Sequence, residues 1–300
     1  MITSADKQEW QNCYLCQSTN IKVLYKQKGI YQCNKCKFVF YKQIPSNEEL
    51  DAVYSNYSRE EYITDISRNR ITSEFRDLLI SFNVKNVLDI ACGECYFLDI
   101  LHNIDPELNL YATEHESAKK GILDKGHQFI EGEFFPQTEI RFDLIIFTEA
   151  IEHINDVESF LENANKLLNP GGLIYLTTPN FSSLERLIMG QKWGMITPPE
   201  HLSYFTPKTL NQAMNNNQFT KVFSRTENIS VFRVIQFFNN YIKPQSKNIS
   251  GKDNSPQRIS DRLQKASEDN LLIKTLKSSI NIILRTMNLG SSLKALYQKD

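Results

Sequence analysis

Apolar and polar positions alternate in blocks along the middle of the chain. From Val84 onward, four short apolar runs, NVLDI, LYATE, FDLIIF and GGLIYLTT, are separated by stretches of helical spacing near Tyr96–Asn103, Glu116–Lys125 and Val157–Leu168. Short buried runs joined by amphipathic segments predict a parallel sheet covered by helices on both faces. Upstream, Ile71, Phe75, Leu78, Leu79 and Phe82 recur every three or four positions and predict a helix from about Ile66 to Phe82. IPSNEELDAVY reads as a turn entering a shorter helix, with Asn47 as its N-cap and Glu48 and Glu49 in the first turn. LNPGG ahead of Leu173 predicts a helix stop and a tight turn. A helix near Pro207–Asn216 and a strand near Phe219–Arg225 follow. Pro244 to Gln257 reads as a polar surface linker and LLIKTLKSSINIILRTM as an amphipathic helix. The tail SSLKALYQK fits one more helical turn or a final strand.

Composition narrows this picture. A chain of 300 residues, 41% hydrophobic and 23% charged, has the length and balance for a sizeable globular core. A formal net charge of -1 argues against a protein built mainly to grip nucleic acid, which needs an excess of Lys and Arg. MITSADKQEW carries no apolar run of the secretory kind, and no window approaches the roughly eighteen apolar residues of a spanning helix. A cytoplasmic protein is expected.

Six cysteines change the reading of the N-terminal end. Cys13, Cys16, Cys33 and Cys36 form C-x2-C-x16-C-x2-C. A pair two residues apart lets one tight turn aim two thiolates at one ion, and two such knuckles complete a tetrahedral zinc site. Tyr14, Tyr31, Phe38 and Phe40 supply packing for a ribbon too small to have its own core. Four thiolates close the coordination shell, so the expected role of Zn2+ is structural. Lys22, Lys26, Lys28, Lys35, Lys37 and Lys42 read as a solvated face of this ribbon rather than a nucleic-acid grip.

The candidate chemistry lies in NVLDIACGECYFLDIL, residues 86–101, where a strand turns into a helix around one glycine, Gly93. Such a switch point takes a dinucleotide or a phosphate-free nucleoside ligand such as S-adenosylmethionine. Asp89 favours the second, because a carboxylate at the strand end repels pyrophosphate and accepts from an ammonium. Ala91 and Cys95 stand where further glycines are usual, and being small they keep the loop tight if their φ angles are negative. Glu114, at the tip of the second strand and about twenty residues past the loop, suits both ribose hydroxyls. Glu133, in FIEGEFF, is placed to meet the adenine amino group.

These residues resemble a known family. VLDIACGECYFL is similar to the first motif of class I S-adenosylmethionine-dependent methyltransferases, commonly VLDxGxGxG, and YATEHE to its second-strand acid. FDLIIFTEAIEHI and FLENANKLLNPGGLIYLTTPN resemble the fourth- and fifth-strand motifs of the subgroup that includes ubiquinone-type O-methyltransferases. The resemblance runs from about Val84 to Phe223. More loosely, the cysteine module and PPEHLSYFTPKTL resemble bacterial methyltransferases of sugar and cell-surface glycan pathways. The resemblance implies an α/β fold: a Rossmann-like, seven-stranded class I methyltransferase sheet with helices on both faces, here with a small N-terminal four-cysteine zinc ribbon. It implies a division into a ribbon (1–45), a helical lead-in (46–83), a cofactor-binding core (84–230) and a helical insertion or tail (231–300). A last, antiparallel strand would fall at 291–299. Asp89, Ala91, Cys92, Gly93, Glu114, Glu133, Thr148 and Glu149 would line the cofactor cleft.

The implied reaction is methyl transfer to a small molecule or saccharide, with O-methylation the leading form. A hydroxyl acceptor needs a base. Glu149, Glu152 and His153 follow the fourth strand at helix-like spacing, which would put Glu149 and His153 on one face, the carboxylate supporting the imidazole. His153 is the candidate base, and His201 in TPPEHLSYF is its competitor; either ring could instead make only a structural hydrogen bond. Trp193, Tyr204 and Phe205 offer a stacking wall for a ring-shaped acceptor, or simply pack a lid. A nucleic-acid acceptor is the alternative reading, and a non-catalytic cofactor-binding scaffold another. The basic helix near Leu271–Met287, with Lys274, Lys277 and Arg285, leaves open packing on the core, a homodimer contact, or, less favoured, a membrane surface.

Overall fold

The computed structural model describes residues 8–46, 49–50, 65–228 and 285–300. The N-terminal end folds into a short antiparallel meander of β1 (Ile21–Tyr25), β2 (Ile30–Cys33) and β3 (Val39–Tyr41). Helix α1 (Asp65–Phe82) follows and buries Ile71, Phe75 and Leu78, the stripe its spacing predicts.

The large sheet begins at β4 (Asn86–Ile90). After it come α2 (Tyr96–Ile104), β5 (Asn109–Thr113), α3 (Lys119–Asp124), β6 (Gln128–Phe129), β7 (Phe142–Thr148), α4 (Val157–Leu167) and β8 (Leu168–Pro179). The chain then forms α5 (Leu184–Met189), β9 (Ser203–Tyr204), α6 (Pro207–Asn216), β10 (Phe219–Glu227) and β11 (Ser292–Lys299). The seven-stranded order is β10-β11-β8-β7-β4-β5-β6. β11 runs antiparallel to both neighbours, whereas β4 through β8 are mutually parallel. Of the two readings of SSLKALYQK, the strand is the one formed, and this is the expected Rossmann-like seven-stranded sheet.

Side chains of β7 divide the core by period two. Ile145 and Phe147 join Phe160 and Leu161 of α4 and Leu210 of α6, while Leu144 and Ile146 join Phe75 of α1 and Leu98 of α2. LNPGG behaves differently from the expected stop and turn. β8 already pairs at Leu168, opposite Phe142, and the register jumps to Leu173 opposite Leu144. The turn residues are absorbed as a bulge, with Gly171 at φ 73°. α4 and α6 start where side-chain caps allow: Asp156 accepts from Ser159 N–H, and Thr206 from Thr209 N–H with Pro207 at the first helical position.

At the antiparallel end, α1 is tied to the sheet by charge. Glu74 accepts from Arg225 of β10 and lies 3.0 Å from the Lys294 ammonium of β11, and Arg70 pairs with Glu227 at 3.1 Å. The chain winds β4, β5, β6 in one direction and returns to β7 on the other side of β4. The carboxyl ends of β4 and β7 therefore part at a switch point, where open α/β sheets bind ligands.

The expected cap at Asn47 and Glu48, the linker at 244–257 and the basic helix from 271 to 284 lie outside the described residues. No helix among the described residues is long and apolar enough to cross a membrane.

Candidate functional site

Three groups of residues carry chemistry. The first is the cysteine quartet. Cys13 O accepts from Gln17 N–H at 2.7 Å and Cys33 O from Lys37 N–H at 3.0 Å. Each knuckle thus closes with a left-handed residue just after its second cysteine, Gln17 at φ 57° and Lys37 at φ 68°. Sγ of Cys13 lies 3.6 Å from that of Cys36, and Sγ of Cys16 lies 3.6 Å from that of Cys33. A zinc tetrahedron with bonds of about 2.3 Å has sulfur-sulfur edges of about 3.8 Å, so the four thiols fit such an ion closely. The hydrogen bond with Cys13 pushes the Cys36 thiol down to about 5, and the same bond pushes Cys13 up. The pair gives up one proton readily, as a metal ligand must. Of the ribbon lysines, Lys28 donates to Ile196 O and Lys42 to Glu9, so two are used internally.

The second group is the loop after β4. Ala91, Gly93 and Cys95 stand at φ 55°, 55° and 57°. The condition set from sequence, negative angles at Ala91 and Cys95, is not met: the loop keeps a left-handed residue at each alternate position although only one is glycine. The turn is enforced from outside. Cys92 N–H donates to Thr113 O at 3.0 Å, and Cys95 N–H returns to Cys92 O at 3.0 Å. Thr113 Oγ1 accepts weakly from Ala91 N–H at 3.4 Å and donates to Glu133 O at 2.5 Å, fastening the loop to the segment after β6. Glu133 owes its place to Gly132, at φ 93°, where an added Cβ would lie 2.2 Å from Phe135 O. Cys92 and Cys95 face each other with sulfurs 3.0 Å apart; that hydrogen bond, then burial and the nearby Asp89, push the Cys92 thiol up.

Carboxylates stand at or just beyond the ends of four adjacent strands: Asp89 on β4, Glu114 after β5, Glu133 after β6 and Glu149 after β7. Asp89 is 1% exposed. One oxygen of Glu114 accepts from Gly93 N–H at 2.7 Å, binding the second strand's tip to the loop. This acid rim fits a ligand carrying an ammonium, a sulfonium and ribose hydroxyls, and opposes a pyrophosphate. Thr148 ends β7, and Glu149, at φ 50°, donates its N–H to Thr177 O at 2.8 Å. The backbone leaves the strand sharply there.

The third group forms where that turn meets the segment before β9. A 3-10 turn, Ile151–His153, follows Glu149, so the expected run of α-helix carrying Glu149 and His153 on one face is not formed. His153 Nδ1 instead donates to Glu200 O at 2.9 Å, and His201 Nδ1 to Met195 O at 2.8 Å. Each ring therefore carries its proton on Nδ1 and keeps Nε2 as the basic nitrogen. The two imidazoles, read from sequence as competitors, are neighbours: their centroids lie 4.7 Å apart at 83°. Ligand atoms of Glu152, His153 and His201 all fall within 4.8 Å of one another, a set that can share a proton or hold a cation. Glu152, 2% exposed, accepts from Thr178 Oγ1 at 2.8 Å. Burial lowers the His201 pKa from its ordinary value, so that ring is neutral at pH 7.

From sequence, Glu149 had the supporting role and Glu152 was named without one; its place next to a histidine was the available signal. Thr113 was passed over, and nothing but tertiary structure picks it out. Trp193, Tyr204 and Phe205 are 3%, 3% and 0% exposed. Trp193 packs on Phe181, Phe205 on Phe38, and Tyr204 donates to His201 O at 2.9 Å, so all three serve as packing in this state.

A family described as a methyltransferase domain matches residues 59–223. The mitochondrial ubiquinone biosynthesis O-methyltransferase of Homo sapiens is 26% identical over 149 residues, covering 44% of this chain and 40% of that protein. The rat counterpart is 27% identical over 176 residues, covering 48% and 51%. The chain thus spans about half or less of the length of these two relatives. A ubiquinone biosynthesis O-methyltransferase of Coxiella burnetii is 24% identical over 157 residues and is covered to 67%. Among solved structures, a SAM-dependent methyltransferase from Archaeoglobus fulgidus superposes with a TM-score of 0.49 at 17% identity, covering 78% of this chain and 95% of that one.

Proposed function

The chain belongs to the methyltransferase-domain family, whose pattern covers more than half of it, and from that premise we propose that it transfers a methyl group from S-adenosylmethionine to a small hydroxyl-bearing acceptor. The observation that carries this is the acid-rimmed, left-handed loop at the switch point between β4 and β7. When bound, the cofactor supplies an electrophilic methyl on a sulfonium. The chain's residues do the rest. Asp89 would accept from the ammonium, Glu114 from the ribose hydroxyls, and Glu133 from the adenine amino group. Ala91, Cys92 and Gly93 bring the backbone close, and Thr148 and Glu149 form the cleft's far wall. Much of the acceleration in such a reaction is alignment of acceptor and methyl.

His153 takes the acceptor's proton on Nε2. It is the more exposed of the two histidines, its Nδ1 is fixed by Glu200 O, and the neutral His201 ring backs it edge-on. Replacing His153 with Ala lowers turnover by about a hundredfold or more, while affinity for S-adenosylhomocysteine stays near wild type. Unchanged turnover removes His153 from the mechanism.

For the acceptor we favour a sugar or glycan precursor. Support comes from the cysteine module and PPEHLSYFTPKTL, which resemble methyltransferases of those pathways. The relatives' names supply the O-methyl form of the reaction. Labelled methyl donor offered with a panel of nucleotide sugars and a panel of phenols separates the two acceptor classes. Label in the phenols alone refutes the sugar reading. The four-cysteine site we read as holding one structural Zn2+.

A further inference from the structure

The small antiparallel sheet is not a free-standing ribbon. Its fourth strand is β9, contributed by the chain between α5 and α6: Val39 pairs with Tyr204 and Phe40 with Ser203. The segment leading into β9 carries His201, and it is held from both sides residue by residue. On the side of the 3-10 turn, Glu200 O accepts from His153 and Leu202 N–H donates to Glu152 O at 2.8 Å. On the ribbon side, Leu202 O accepts from Tyr41 N–H at 2.8 Å, and the Ser203 hydroxyl meets the Tyr14 hydroxyl at 2.6 Å. Tyr14 and Ser203 are 7% and 2% exposed. Tyr14 directly follows the first cysteine and packs edge-on against Phe38 and Phe40. One further strut, Lys28 to Ile196 O at 3.2 Å, holds the chain just past Met195, whose carbonyl fixes His201.

We propose that the cysteine ribbon is a positioning element of the acceptor side, with Tyr14 and Ser203 as positioning residues that set His201 against His153. The proposal rests on the histidine-pair reading above for its catalytic consequence, but not for its geometry. Of the ribbon's two outer strands, β3 is covered by the strand that follows His201, while β1 keeps its outer edge among the described residues; the β3 side of the ribbon is therefore committed to the segment that carries His201. The hydroxyl pair is buried among apolar rings, where removing one partner leaves the other unsatisfied and frees the segment to shift. Displacement of an aligned group by about 1 Å can lower turnover about a hundredfold.

The test uses the full chain as Tyr14→Phe and, independently, Ser203→Ala. Nitrogen-labelled histidine gives a side-chain spectrum with five rings, of which only His153 and His201 lie at this junction. The expected result is that the signals of His153 and His201 move in both variants. Those of His102, His115 and His127 stay in place, zinc content is retained, and affinity for S-adenosylhomocysteine is unchanged. With a methylated acceptor in hand, kcat falls about tenfold or more while the KM for the methyl donor holds. Unmoved His153 and His201 signals in both folded, zinc-loaded variants overturn the proposal. His201→Gln keeps the two readings apart: full turnover in that variant removes the histidine pair from catalysis, whereas the spectra decide the positioning.

Discussion

Ala91 holds a backbone conformation that costs an L-residue about 1–2 kcal/mol, because its Cβ crowds the following carbonyl. Glycine removes that strain but loosens the unfolded chain by about 0.4–1 kcal/mol. Ala91→Gly therefore stabilises the protein by about 0.5–1 kcal/mol, seen as a higher urea midpoint; a lower midpoint contradicts the assignment. Cys95 is the harder case, since its buried thiol would be lost with the strain. His201 gives the pH dependence. Its folded pKa lies below the ordinary 6.5, so the unfolded chain binds a proton that the native site resists. That contribution to stability is complete above about pH 6.5 and is lost as pH falls toward the folded value. Unfolding titrations of wild type and His201→Gln should converge on that acid limb, and parallel curves would contradict it. At this scale the sequence tells much about chemistry and little about conformation. The small side chains of Ala91 and Cys95 were legible as glycine substitutes, but their handedness belongs to a turn that Thr113 of the neighbouring strand holds at Ala91 and Cys92 and that closes from Cys95 N–H to Cys92 O. His153 and His201 were each legible as bases. Their contact was not, because it depends on where the segment before β9 docks.

Among elements, the anchoring of α1 is the most exposed to test. Lys294 is 6% exposed and lies 3.0 Å from Glu74 and 3.5 Å from Glu227. Lys294→Ala leaves two partly buried carboxylates with only the arginines to compensate. Stability should drop by about 2–3 kcal/mol, toward the lower end for a broken buried pair because solvent still reaches Glu74. A loss under about 0.5 kcal/mol would show the network to be ornamental. The parallel strands and their covering helices were plain from periodicity, since β4 and β7 are buried on both faces and read as short, mostly apolar runs. SSLKALYQK was ambiguous for a physical reason. Leu293, Ala295, Leu296 and Tyr297 are all buried, and a strand flanked on both sides shows neither period clearly. β9 is two residues long and exists only because β3 is there to pair with it, so no local pattern announces it.

For the molecule as a whole, the ribbon and the catalytic core share one buried cluster, in which Tyr14, Phe38 and Phe40 sit with Ile151, Ile154 and Phe205. Metal analysis should find one zinc per chain, and Cys33→Ser should lower the thermal midpoint of the whole protein in a single transition. Two separate transitions would show ribbon and core to be independent. The acid rim, by contrast, makes one demand of its ligand, a positive group where a dinucleotide carries phosphate. Titration calorimetry measures that demand directly. Heat is expected with S-adenosylhomocysteine, weakened about tenfold or more in Asp89→Asn, and none with a nicotinamide dinucleotide. Heat with the dinucleotide and silence with S-adenosylhomocysteine would contradict the account at its root.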